Sequence, residues 1–146
     1  MRNTLRKIGV AATVGALALA GIAATSTPAL AASSWSAQYT GADIAGVHGW
    51  GTFQYYAPAG TTYAQVFANV KDTAVDSKGA RLYLRWERND GVFQDAGYVS
   101  ASGNGDIQNG TFRLPATQYY AFEVMECKTE AGATVWSTCG EYSRPE

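Results

Sequence analysis

The stretch Arg81-Leu82-Tyr83-Leu84-Arg85-Trp86-Glu87-Arg88-Asn89-Asp90-Gly91 decides the fold. Its apolar residues recur at every second position, so in an extended chain Leu82, Leu84 and Trp86 share one face while Arg81, Tyr83, Arg85 and Glu87 share the other. Asp90-Gly91 follows, a pair that tolerates positive φ and is the strongest short hairpin signal. Val92 opens a second extended stretch. Two antiparallel strands are therefore expected, Arg81–Arg88 and Val92–Ala101.

The same reading extends in both directions. Strands are expected at Gly51–Tyr56, Tyr63–Lys71, Ile107–Leu114, Tyr119–Lys128 and Thr134–Glu141, separated by turn-rich segments such as Pro58-Ala59-Gly60, Gly103-Asn104-Gly105 and Glu130-Ala131-Gly132. Alternation turns Val66, Ala68 and Val70 inward on one strand and Tyr120, Phe122 and Val124 on another, with Phe112 and Leu114 completing the core. No long stretch carries the three-and-four spacing of an amphipathic helix. About seven short antiparallel strands with half-polar faces must cover one another. The expectation is an all-β domain built as a two-sheet sandwich, with a small closed barrel as the alternative.

The chain divides at its beginning. Arg2, Arg6 and Lys7 precede an uncharged apolar stretch rich in Ala, Val, Leu and Gly, which closes on Pro28-Ala29-Leu30-Ala31. This order is that of a secretory signal peptide, residues 1–31, with cleavage after Ala31. Residues 32–47 are polar and Gly-containing and are expected to form a flexible segment ahead of a single β domain at 48–146. Cleavage would remove three basic residues and no acidic one, leaving eight against twelve, a formal charge near −4. Such a balance points away from nucleic acid, and the exported domain is expected to be a monomer free of the membrane. Cys127 and Cys139 form an even pair in an exported chain, which favours a disulfide that closes a loop of 13 residues; metal binding would need more ligands than these and His48 supply. No cofactor or metal is expected.

The Ala-rich leader, the Leu82-Tyr83-Leu84-Arg85-Trp86 strand and the closing Phe122-Glu123-Val124-Met125-Glu126-Cys127 … Cys139 segment together resemble the small secreted proteins of actinobacteria. The resemblance implies export of a small domain and carries no site residue with it.

Catalytic readings fare poorly. His48 is the only histidine and no Gly-x-Ser-x-Gly elbow accompanies it, so a serine triad lacks its parts. Glycoside hydrolysis needs only two facing carboxyls, which leaves Glu87, Glu123 and Glu126 as strand-borne candidates. Asp72 with Asp76, and Asn104 with Asp106 and Asn109, are the only oxygen clusters dense enough for calcium, but they also suit ordinary turns.

The remaining feature is an aromatic surplus, with four Trp and nine Tyr. Flat rings beside polar groups give large contact area at low entropy cost. Tyr83 with Arg85 on one predicted solvent face, Phe67 among Gln65, Asn69 and Lys71, and Trp50 in a Gly-flanked loop are the candidate ligand contacts. The expectation is a secreted, non-catalytic module that binds an extracellular carbohydrate or protein surface. A proteinaceous inhibitor of a secreted hydrolase, acting through the Tyr56–Gly60 turn or the tip of the Cys127–Cys139 loop, is the alternative, and a small carboxylate-dependent hydrolase a third.

Overall fold

The computed structural model describes residues 31–56, 63–115 and 119–146. The signal-peptide stretch 1–30, the turn at 57–60 and most of the 115–117 turn lie outside this range. Ala31, the expected cleavage residue, is exposed at the start of the described chain.

Among the described residues there are eight strands: β1 (Ser33–Ser36), β2 (Val47–Tyr56), β3 (Tyr63–Asp72), β4 (Gly79–Arg88), β5 (Phe93–Ala101), β6 (Ile107–Pro115), β7 (Tyr119–Glu130) and β8 (Ala133–Thr134). They form two four-stranded sheets, a front sheet in the order β1-β2-β3-β6 and a back sheet in the order β5-β4-β7-β8. All pairings are antiparallel. The protein is an all-β sandwich. β5 and β6 lie against each other but share no ladder, so the sheets do not close into a barrel.

The hairpin signal holds, with a refinement. Arg88 N–H bonds the Val92 carbonyl and Gly91 N–H bonds the Arg88 carbonyl, with Gly91 at φ 78°. That is a three-residue loop whose last member is left-handed, the alternative to a two-residue turn that a Gly at this position allows. Farther along, the β4–β5 register jumps from Leu84↔Gly97 to Arg85↔Asp95. Ala96 is the extra residue of this bulge and packs against the core. The jump keeps Phe93 and Asp95 on the outer face.

Alternation predicts most of the core, with Phe112 partly buried against it and the side chain of Tyr120 outside the described residues. Val66, Val70, Leu82, Leu84, Leu114 and Val124 are all fully buried, and Trp86 and Phe122 nearly so. Each such side chain contributes roughly 1.5–3 kcal/mol of burial free energy.

Three expectations are corrected. Residues 32–47 are held in the fold rather than flexible: β1 pairs with β2, and Trp35, Ala37 and Ala42 are buried. The apolar anchors in that segment are few but large, and composition alone does not weigh them. The strand expected at 51–56 begins four residues earlier. Its glycines read as a loop, yet they serve packing, because a Cβ on Gly51 would overlap the Phe67 carbonyl and come 2.8 Å from the Trp35 ring. Trp50 is therefore a strand residue. The last strand expected, Thr134–Glu141, is real only at Ala133–Thr134. A 3-10 turn, Trp136–Thr138, follows, because Thr138 Oγ1 donates to the Val135 carbonyl at 2.7 Å and the disulfide draws Cys139 back to β7.

Cys127 and Cys139 are bonded, with Cα atoms 4.1 Å apart. Closing this loop restricts the unfolded chain, worth about 3 kcal/mol in the loop-entropy account.

Candidate functional site

The outer face of the front sheet is set by register. β2 sends Val47, Gly49, Gly51, Phe53 and Tyr55 inward, so His48, Trp50, Thr52, Gln54 and Tyr56 point out. Pairing with β3 and β6 arranges the outer residues in rows: His48–Lys71–Ile107, Trp50–Asn69–Asn109, Thr52–Phe67–Thr111, Gln54–Gln65–Arg113 and Tyr56–Tyr63. Successive rows are about 7 Å apart and adjacent strands about 5 Å. Aromatic rings and amide or hydroxyl side chains thus interleave over this face.

Several of its members are oriented by neighbours. The His48 ring stacks on Trp50 with centroids 4.9 Å apart, and Tyr56 stacks on Tyr63 at 5.2 Å. The Arg113 guanidinium lies 5.2 Å over the Tyr63 ring. Asn69 Nδ2 donates to the Trp50 carbonyl at 3.3 Å, and the Tyr56 hydroxyl donates to Gln54 at 2.9 Å. By contrast, the side chains of Thr52, Gln65, Asn109 and Thr111 form no hydrogen bond with a described residue. Phe67 is exposed between the two threonines. The face offers stacking surface and unused polar groups together.

The platform is held from beneath by Glu126, which is fully buried on the inner face of β7. Its Oε1 accepts from Gly49 N–H at 2.5 Å and its Oε2 from Ile44 N–H at 3.0 Å. Burial pushes its carboxyl up to about 7, assisted by the charge of Asp43, while the two N–H donors pull it down. Sequence placed Glu126 among strand carboxylates for catalysis. Phase explains its actual place, since it shares the inward side of β7 with Phe122 and Val124.

The outer face of the back sheet is organised differently. Arg85 forms an ion pair with Glu123 at 2.7 Å and sits between two rings, 4.0 Å from Phe93 and 3.9 Å from Tyr142. Arg81 lies 4.2 Å over Tyr98 and donates to Ser100, Thr134 and the Gly132 carbonyl. Tyr83 stacks on Trp136 at 5.5 Å and its hydroxyl shares a 2.7 Å hydrogen bond with Thr134. Here the polar groups are engaged with one another.

No family model, curated protein or solved structure matches the chain.

Of the four ligand contacts expected from sequence, Trp50 and Phe67 come together on the front face and Tyr83 and Arg85 on the back. The two pairs do not form one site. Of the carboxylates, Glu87 pairs with Arg144 at 3.1 Å and Glu123 with Arg85 on the outer face of the back sheet, while Glu126 lies on the opposite side of β7 from Glu123. His48 is a stacking partner of Trp50. Asp72 accepts from the N–H groups of Ala74 and Gly103, and Asp76 pairs with Lys128, so both serve turns; among the described residues no group of three His, Cys, Asp or Glu is placed to hold a metal ion. A cleft of about 370 Å³ opens at the end of the back sheet between Arg81, Ser100, Ser102 and Gly132, away from the front face. Sequence reasoning missed Tyr56, Tyr63, Asn109 and Arg113 as neighbours of Phe67, because register across three strands cannot be read from spacing within one.

Proposed function

We propose that this protein is a secreted, non-catalytic module that binds an extracellular polysaccharide on the outer face of its front sheet. The observation that carries the reading is the interleaving of Trp50, Phe67, Tyr63 and Tyr56 with unengaged amides and hydroxyls in register-defined rows. A pyranose has one flat apolar face and an equatorial rim of hydroxyls. Rings receive the face and the amides receive the rim. The disulfide is compatible with an oxidising, extracellular setting, and among the described residues no helix is long and apolar enough to cross a membrane.

Retention on insoluble or immobilised polysaccharides tests this. Trp50→Ala and Phe67→Ala are each expected to weaken retention roughly tenfold or more, in line with the loss of a central aromatic contact. Tyr98→Ala, on the back face, is expected to change nothing. Equal retention of all three variants would move the site off the front sheet, and no retention of the parent protein on any glycan would remove the reading.

An inhibitor of a secreted hydrolase is the second reading, favoured by the tip at Ala131-Gly132, where both residues are left-handed and the disulfide clamps the loop behind Trp136, which is 65% exposed. A panel of proteases and amylases assayed with and without Trp136→Ala decides it.

A further inference from the structure

Charge is distributed between the two faces in a way that names the class of polysaccharide. Residues 31–146 contain eight cations, and four of them stand in ion pairs: Arg85–Glu123, Arg88–Asp90, Lys128–Asp76 and Arg144–Glu87. All eight residues of those pairs belong to the back sheet or to the turns and tail around it. The front sheet has only two cations on its outer face, Lys71 and Arg113, and neither meets a carboxylate among the described residues. Its one acidic strand residue, Asp72, points inward and is fully buried. The stretches 57–62 and 116–118, which border this sheet, contain no charged residue at all. Over β2, β3 and β6 the outer face therefore carries positive charge and no negative charge; the carboxylate at its edge is Glu146, whose backbone pairs with Ser36 on the far side of β1.

Lys71 and Arg113 are also too far apart to serve one sugar. Arg113 is opposite Gln65, which lies six residues from Lys71 along β3, roughly 20 Å. Between them are Trp50, Asn69 and Phe67. Two cations separated by aromatic rings suit a repeating polymer rather than a single small anion.

Resting on the binding function proposed above, we infer that the ligand is an acidic polysaccharide, with uronate carboxylates meeting Lys71 and Arg113 while the sugar rings between them lie over Trp50 and Phe67. A guanidinium takes a carboxylate in a two-pronged hydrogen bond, and Arg113 is exposed and lies over the Tyr63 ring. A backbone of glycerol phosphates would meet the cations equally well, but it would leave the aromatic rows without a ring to cover.

The experiment compares polygalacturonate with its fully methyl-esterified form, which keeps the backbone and removes the charge, and adds polyglycerol phosphate. By calorimetric titration at about 50 mM salt, polygalacturonate is expected to bind roughly tenfold or more tightly than the ester, with the difference fading as salt rises. Lys71→Gln and Arg113→Gln should each weaken binding to the acid several-fold, and together abolish the preference. Arg144→Gln, an exposed cation of the back face, should not. Both front-face cations project outward, so unchanged thermal midpoints will show that the variants are folded. Equal binding of acid and ester, indifference to the Lys71 and Arg113 substitutions, or tighter binding of polyglycerol phosphate would each overturn the inference. Retention of a neutral glycan that depends on Trp50, without any acid preference, would overturn it while leaving the binding function in place. Failure of every glycan would remove both.

Discussion

The two outer faces of this sandwich have similar ingredients and put them to different uses. On the back face, Arg85 is gripped by Glu123, Phe93 and Tyr142, and Arg81 by Tyr98, Ser100, Thr134 and Gly132, so the side chains satisfy each other. On the front face, support comes from below. Glu126 holds the backbone of β2 at Gly49, the Trp35 ring fills the space beside Gly51, and the outward groups keep spare bonding capacity. A surface that completes its own hydrogen bonds gains stability, whereas one that leaves them open retains affinity for something else. Number of exposed aromatics does not separate the two; what their polar neighbours are bonded to does.

This contrast can be broken at its foundations. Glu126→Leu would strand the buried N–H of Gly49 and the half-buried N–H of Ile44, at a cost of roughly 2–4 kcal/mol. Denaturant unfolding should show the loss, and glycan retention should fall with it because β2 carries Trp50. A stability change below about 1 kcal/mol would mean that the front face does not depend on this clamp.

The same group sets a pH dependence. A carboxyl whose value in the folded state is raised holds its proton more tightly there than in the unfolded chain, so its favourable contribution is complete below about 4.5 and is lost as pH rises towards about 7. The parent protein should therefore lose on the order of 1–3 kcal/mol between pH 4.5 and 7.5, while Glu126→Gln, which mimics the protonated acid, should be flat across that window. Thermal scans at several pH values measure it. A parent protein as flat as the Gln variant would show that the two N–H donors fully offset burial.

Smaller still is the effect expected at the back face. Arg85→Ala removes one ion pair and two ring contacts at a partly exposed position, for about 1–2 kcal/mol of stability and no change in glycan binding. If retention fell instead, the division between a self-satisfied face and an open one would be wrong.

Much of the architecture was legible before any coordinates. Strict alternation at 81–88 and 64–70 placed Leu82, Leu84, Trp86, Val66, Ala68 and Val70 in the core, and Asp90-Gly91 placed the hairpin, because a period of two admits only one assignment of faces. Where period two is carried by glycine, as at Gly49 and Gly51, hydrophobicity disappears from the pattern and the first four residues of β2 read as loop. The buried carboxylate was illegible for a related reason: Glu126 occupies an inward position that only the arriving N–H groups of a distant segment make tolerable. The site was half legible. Trp50 and Phe67 stood out by residue type, but Lys71, Asn109 and Arg113 join them only through pairing between β3 and β6.

The bulge at Ala96 has an effect beyond returning Phe93 to the outer face. β5 is an edge strand, and an uninterrupted edge presents evenly spaced N–H and C=O groups on which a second molecule can add a strand. The extra residue breaks that spacing midway, and Gly97, at φ 127°, bends the backbone away from a straight edge. Were copies lined up along one polymer strand, the broken edge of β5 would hinder pairing between their back sheets.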